Sequence, residues 1–288
     1  MTDTPAPSSV ASAPIRDILV QLTGSDEDDG RLQMAAAVAG AFGAHIVAAH
    51  VHILPDILEI TDPARSAMVR TLLENSDREA DAAVDRLQAR LAALGMPHHL
   101  VRLHGLAADI GAELAAMARA ADLFVGTRPY GDPAGRDQIE ERVLFGSGRA
   151  CLFLPPGGTP HRAFDSIAIA WDNSREAARA VAEAMPFLER ARSVRLIHVD
   201  SNGAEAAAHG RDFAGILAHL ERHGIEAGLV SVPFSGSTGE QIEQAAHQQA
   251  ADLIVMGAYG HMRLVEFIFG GATRYILRHA TLPVLIAH

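Results

Sequence analysis

One pattern written twice constrains this chain more than anything else in it. Ile18-Leu-Val-Gln-Leu-Thr-Gly-Ser25 returns as Ile167-Ala-Ile-Ala-Trp-Asp-Asn-Ser174, and Val47-Ala-Ala-His50-Val51-His52 returns as Arg195-Leu-Ile-His198-Val199-Asp200. Ala120-Ala-Asp122-Leu-Phe-Val recurs as Ala250-Ala-Asp252-Leu-Ile-Val, and Cys151 to Pro155 mirrors Pro283 to Ala287. Two copies describe a tandem pair of domains rather than a solenoid. The spacing between partners shortens after the second pair, so the first half carries an insertion, around Ile53 to Asn75. The chain of 288 residues is long enough for both halves to bury a core of their own.

Within each half, short apolar runs alternate with amphipathic stretches, the pattern of a parallel sheet covered on both faces. The expected fold is therefore α/β, two tandem doubly wound parallel-sheet domains. Pro155-Pro-Gly-Gly-Thr-Pro160 is the one clear linker. It divides the chain into a flexible tail (1–14), a first domain (15–155), a linker (156–162) and a second domain (163–288). Ser76-Asp-Arg-Glu79 reads as a capping box that opens a helix ended by Gly95-Met-Pro97. Thr238-Gly-Glu-Gln241 predicts another helix start, and Asp212 to His223 a shorter helix closed by Gly224.

Composition excludes several classes of function. The formal charge of −11 leaves no basic patch for a nucleic-acid backbone. A single cysteine, Cys151, rules out an internal disulfide, suits a reducing compartment, and lies in an apolar run that reads as buried. Met1 to Pro14 lacks the basic start and apolar core of a signal peptide. Met34 to Leu54 contains no Asp, Glu, Lys or Arg and could span a bilayer by length. Its alanines, its three histidines and a break at Gly43 fit a helix followed by a buried strand better. A cytoplasmic protein without membrane contact is expected.

The stretch from Asp252 to His288 carries the chemistry. Leu253 to Met256 reads as a buried strand stopped by Gly257 and Gly260; Gly270 and Gly271 follow, then Thr273 at the head of an amphipathic run, and finally Pro283-Val-Leu-Ile-Ala287 as a last strand. Strand, glycine-rich turn and helix start together suit an anion held on free backbone N–H groups. The Gly-x2-Gly-x9-Gly spacing with the closing Pro-Val-Leu-Ile strand resembles the C-terminal signature of the universal stress protein family. The usual family loop has Ser or Thr after the third glycine, where this chain has Gly271 followed by Ala272; Thr273 is then the nearest hydroxyl.

The resemblance implies a Rossmann-like, adenine-binding fold and a stress-response regulatory protein that binds ATP, AMP or a related adenine nucleotide, with Mg2+ as an accompanying ion. It places the base on Ala170, Asp172 and Val199, and the ribose and phosphates on Gly257, Gly260, Gly270, Gly271, Ala272 and Thr273, with His261 within reach of phosphate. Asp172 also reads as a cap for the helix starting near Ser174. An intramolecular pseudo-dimer through the last strands of both halves is implied, and a homodimer is compatible with it.

The first half departs from this signature. Thr23 stands where Asp172 stands, and Gly126-Thr-Arg-Pro-Tyr-Gly131 does not reproduce Gly-x2-Gly, so a structural first domain is expected. His50 and His52 share a strand face by alternation, but the sequence places no third ligand beside them, and no metal site is expected. Two other readings stay open: an interaction module of this fold that has lost its nucleotide, and an ATP-using enzyme of a related fold. Against the enzyme, the chain has no Walker Gly-x4-Gly-Lys-Ser/Thr pattern and no Ser-His-Asp set, so weak ATP hydrolysis at most is expected.

Overall fold

The structure is a computed structural model describing residues 15–54, 63–129, 138–157, 164–200, 206–258 and 271–288. The first half runs β1 (Asp17–Leu22), α1 (Asp28–Phe42), β2 (His45–Ile53), α2 (Pro63–Ala93), β3 (His98–Gly105), α3 (Ala107–Ala118), β4 (Leu123–Thr127), α4 (Gln138–Gly146) and β5 (Ala150–Leu154). The second repeats it as β6 (Ser166–Ala170), α5 (Arg175–Leu188), β7 (Ser193–Asp200), α6 (Ala206–Arg222), β8 (Ala227–Pro233), α7 (Thr238–Gln248), β9 (Leu253–Gly257), α8 (Gly271–His279) and β10 (Val284–Ala287). All strands join one sheet in the order β3-β2-β1-β4-β5-β10-β9-β6-β7-β8. Every pairing is parallel except β5 with β10, where Cys151, Leu152 and Phe153 face Ile286, Leu285 and Val284.

The repeat reflects shared mechanics. Val20 pairs with Val125 where Ile169 pairs with Val255, which fixes equivalent positions in the two halves. The aspartate of each Ala-Ala-Asp-Leu motif ties down the first strand of its half. Asp122 Oδ2 accepts the Arg16 and Asp17 N–H groups at 2.7 and 3.0 Å. Asp252 Oδ2 accepts those of Asp165 and Ser166 at 2.9 and 3.2 Å. The inner strands β1, β4, β5, β6, β9 and β10 are mostly apolar and nearly all buried, as a sheet sandwiched between helices requires, whereas the edge strands β3 and β8 are largely half-buried or exposed.

Two sequence expectations shift. Ser76 does not cap a helix: α2 begins at Pro63 and runs through it, so the insertion after β2 is in part extra helix. The Ser76 hydroxyl meets His52 Nε2 at 2.8 Å instead. The cap of α7 is Ser237 rather than Thr238, its side chain accepting from the Glu240 N–H. The helix-then-strand reading of Met34 to Leu54 holds, with Gly43 in a left-handed turn (φ 69°) between α1 and β2. No helix among the described residues is long and apolar enough to cross a membrane.

Candidate functional site

Open parallel sheets bind ligands beyond the C-terminal strand ends, where the chain order reverses. Here that occurs twice, between β1 and β4 and between β6 and β9.

In the second half, β6 ends at Ala170, buried between Ile197 of β7 and Met256 of β9. Ala170 joins one apolar cluster to which half-buried Val199 and Ala272 also belong, so two of the residues expected around a base and one expected at the phosphates pack in the same cluster. Past Ala170 the chain turns through Trp171, Asp172 and Asn173, the last in the left-handed region (φ 60°). Exposed Asp172 accepts from the Ser174 N–H at 3.1 Å and hydroxyl at 2.6 Å. Ser174 in turn caps α5, accepting the Ala177 N–H at 3.1 Å. The capping role foreseen for Asp172 thus falls to Ser174, with Asp172 fixing the capping side chain.

Gly257 closes β9 against the start of α5. A Cβ there would sit 2.5 Å from both Ala177 N and Glu176 C, backbone atoms that cannot step aside. Its glycine is explained by this close approach of helix and strand, a constraint the sequence does not announce. Gly271 opens α8 at the surface, Ala272 is half-buried, and Thr273 is buried at 4 % exposure. The hydroxyl expected to replace the missing serine therefore faces inward. Gly260, His261 and Gly270 lie outside the described residues.

Two neighbours escaped the sequence reading. The Trp171 indole is buried, and its Nε1 has no hydrogen-bond partner among the described residues. Glu176 is buried in the first turn of α5: burial pushes its pKa up, but the Arg175 guanidinium at 2.5 Å, its own backbone N–H and His288 together bring it below the ordinary value. Neither follows from spacing, because both depend on which side of the turn the chain takes.

The first half fills the equivalent space with its own side chains. Gln21 stands at the position of Ala170, and its amide donates to Glu140 Oε1 at 2.7 Å; Glu140 stands at the position of Thr273. On the other face, Asp28 and Arg31 replace Ala177 and Ala180. Fully buried Asp28 accepts the Thr23 N–H at 2.9 Å, the Gly24 N–H at 2.7 Å and Arg31 Nη1 at 3.0 Å. Burial pushes the Asp28 carboxyl above its ordinary range against the pull of these donors. Arg31 Nε donates to Thr127 Oγ1 at 2.8 Å, and Thr127 is the counterpart of Gly257. A cavity of about 190 Å³ on this rim is lined by Asp26, Glu27 and Asp29 beside Arg31, carboxylates that repel a phosphate chain.

The histidines divide. His50 is 2 % exposed, and burial, then the nearby His52, Arg102 and Arg86, lower it to about 4, so it stays neutral and structural. His52 behaves otherwise. Asp77 of α2 and His104 of β3 stand beside it, supplying the neighbours that the sequence did not place.

The doubly wound sheet with ligand-side crevices puts the chain among the Rossmann-like α/β proteins. The sequence model of the universal stress protein family matches residues 163–288. Over the whole chain the fold is that of a universal stress protein from Archaeoglobus fulgidus (TM-score 0.73, 16 % identity, 94 % of this chain and 95 % of that one). A functionally unknown protein from Pseudomonas aeruginosa is also similar (TM-score 0.62, 15 % identity, covering 95 % and 92 %). No curated protein matches the sequence.

Proposed function

We propose that residues 163–288 hold one adenine nucleotide, ATP or AMP, at the crevice between β6 and β9, and that the chain acts as a nucleotide-responsive regulator in the stress response. The base lies against Ala170 and Val199, Asp172 meets the ribose, and main-chain groups of Gly257, Gly260 and Gly270 to Thr273 hold the phosphates, with Mg2+ where the nucleotide carries it. The observation that carries this reading is the contrast between equivalent positions. Where the first half places Gln21, Asp28, Arg31 and Thr127, the second places Ala170, Ala177, Ala180 and Gly257.

On this reading the first domain (15–155) is structural and the second (163–288) binds, with 156–162 between them and 1–14 a tail. The antiparallel β5–β10 pairing supports reading the two halves as an intramolecular pseudo-dimer. A cytoplasmic location, expected from the single cysteine, belongs to the same proposal. Mass spectrometry of the purified chain for co-bound nucleotide, with thermal melts in ATP and AMP, tests it. Adenine nucleotide on the protein, or a ligand-dependent rise in melting temperature, is the expected result. Neither appearing leaves the interaction module as the function.

A further inference from the structure

Three side chains in the first half converge on a point that none of them fills. His52 leaves β2, His104 leaves β3 one strand over, and Asp77 comes down from α2; His52 and His104 are register partners in the β2–β3 pairing. The two imidazole Nδ1 atoms face each other at 3.0 Å, and Asp77 Oδ1 stands 3.9 Å from the first and 3.7 Å from the second. A triangle with these sides has its centre about 2.1 Å from every corner, the length of a zinc–imidazole or zinc–carboxylate bond.

We propose that His52, His104 and Asp77 form a binding site for one divalent transition-metal ion, with Zn2+ as the representative ligand. The donor set decides the class: two imidazoles and one carboxylate suit zinc and its first-row neighbours, whereas Mg2+ and Ca2+ take oxygen shells. The site is also braced as metal sites are. His52 Nε2 meets Ser76 Oγ at 2.8 Å, so with Nε2–H donating to the hydroxyl, the Nδ1 lone pair points at the centre. Asp77 Oδ1 is buried and has no hydrogen-bond partner among the described residues. A proton shared between the two Nδ1 atoms would satisfy the histidines but leave that oxygen unmet.

The surrounding charges allow a cation. Arg102 lies 3.6 Å from Asp77 Oδ1 and also pairs with Asp81, so the two carboxylates exceed the one guanidinium. His52 is largely buried while His104 and Asp77 open to solvent, which leaves room for water as a further ligand and a path for the ion. Bound metal would pin α2 to the β2–β3 edge, on the same rim as the crevice that the first half has closed.

The test uses the tag-free full chain, stripped with a chelator and titrated with Zn2+ by calorimetry, with Co2+ absorption as a second readout. The expected result is one ion per chain, a visible Co2+ spectrum, and loss of both in His104→Ala and in Asp77→Asn. Ser76→Ala should weaken binding about 10-fold or more by releasing the His52 ring. His99→Ala, which touches the separate His45–His99 stack, should leave binding unchanged. Asp77 is half-exposed on a helix, so Asp77→Asn reports even where His104→Ala fails to fold. No zinc binding, or binding that survives Asp77→Asn, overturns the proposal.

Discussion

Thr127 and Gly257 occupy the same position at the ends of β4 and β9 and use it in opposite ways. Thr127 offers a hydroxyl to Arg31 and so helps close a crevice, whereas Gly257 withdraws its side chain so that α5 can lie against the strand. From this difference Gly257→Ala should destabilise the protein by about 1–3 kcal/mol through overpacking alone. Urea unfolding measures it. An unchanged midpoint would show that α5 is not pressed against β9.

Asp28→Ala should be more costly. It strips Arg31 of its buried partner and leaves the Thr23 and Gly24 N–H groups without their acceptor, a loss of about 3–5 kcal/mol for a broken buried pair. Asp172→Ala, at the equivalent turn but exposed, should lose about 1 kcal/mol or less. Equal losses in the two variants, measured by the same unfolding experiment, would mean that the first-half network is not the brace described above.

The seam between the halves should govern cooperativity. Leu152 and Leu285 face each other there, both fully buried, and Arg128 Nη1 reaches across to the Leu277 carbonyl at 3.2 Å and to that of Arg278. Leu285→Ala should remove about 2–5 kcal/mol. The second half expressed alone exposes an apolar edge and should self-associate in sedimentation. A monodisperse monomer across a wide concentration range would contradict this.

Cys151 supplies a pH test. It is fully buried at this seam, and burial, reinforced by the Glu183 charge, pushes its thiol far above the ordinary value of 9.0. A group that keeps its proton longer in the folded state contributes stability fully present below its unfolded value and lost as pH climbs beyond it. The expected outcome is a decline in stability above about pH 9 that is shallower in Cys151→Ala, and thiol labelling only as fast as unfolding. Rapid labelling of the native chain would refute the burial.

Much of this was legible in the sequence because the repeat and the strand runs are set by local hydrophobic pattern. Ile18 to Leu22, Ile167 to Ala170 and Leu253 to Met256 could hardly be anything but buried strands. Ser76 was misread because its capping pattern is local, while the helix is prolonged upstream and the hydroxyl taken by His52, a partner on another element. Thr273 and Glu176 needed the helix rotations to be known before their burial could be. The gathering of His52, Asp77 and His104 is a product of strand register and helix packing, with residues 52 and 104 made neighbours by the sheet alone.

The central claim is that one half of a duplicated fold binds a nucleotide and the other has filled its site. Titration calorimetry of the full chain with ATP and AMP, repeated on Ala170→Gln, tests it most directly. Ala170→Gln installs at the second crevice the side chain that occupies the first, where the Gln21 amide donates to Glu140. The account predicts one site per chain in the original protein and none in the variant, with the variant still folded by circular dichroism. Two equivalent sites per chain, or a single site untouched by Ala170→Gln, would contradict it.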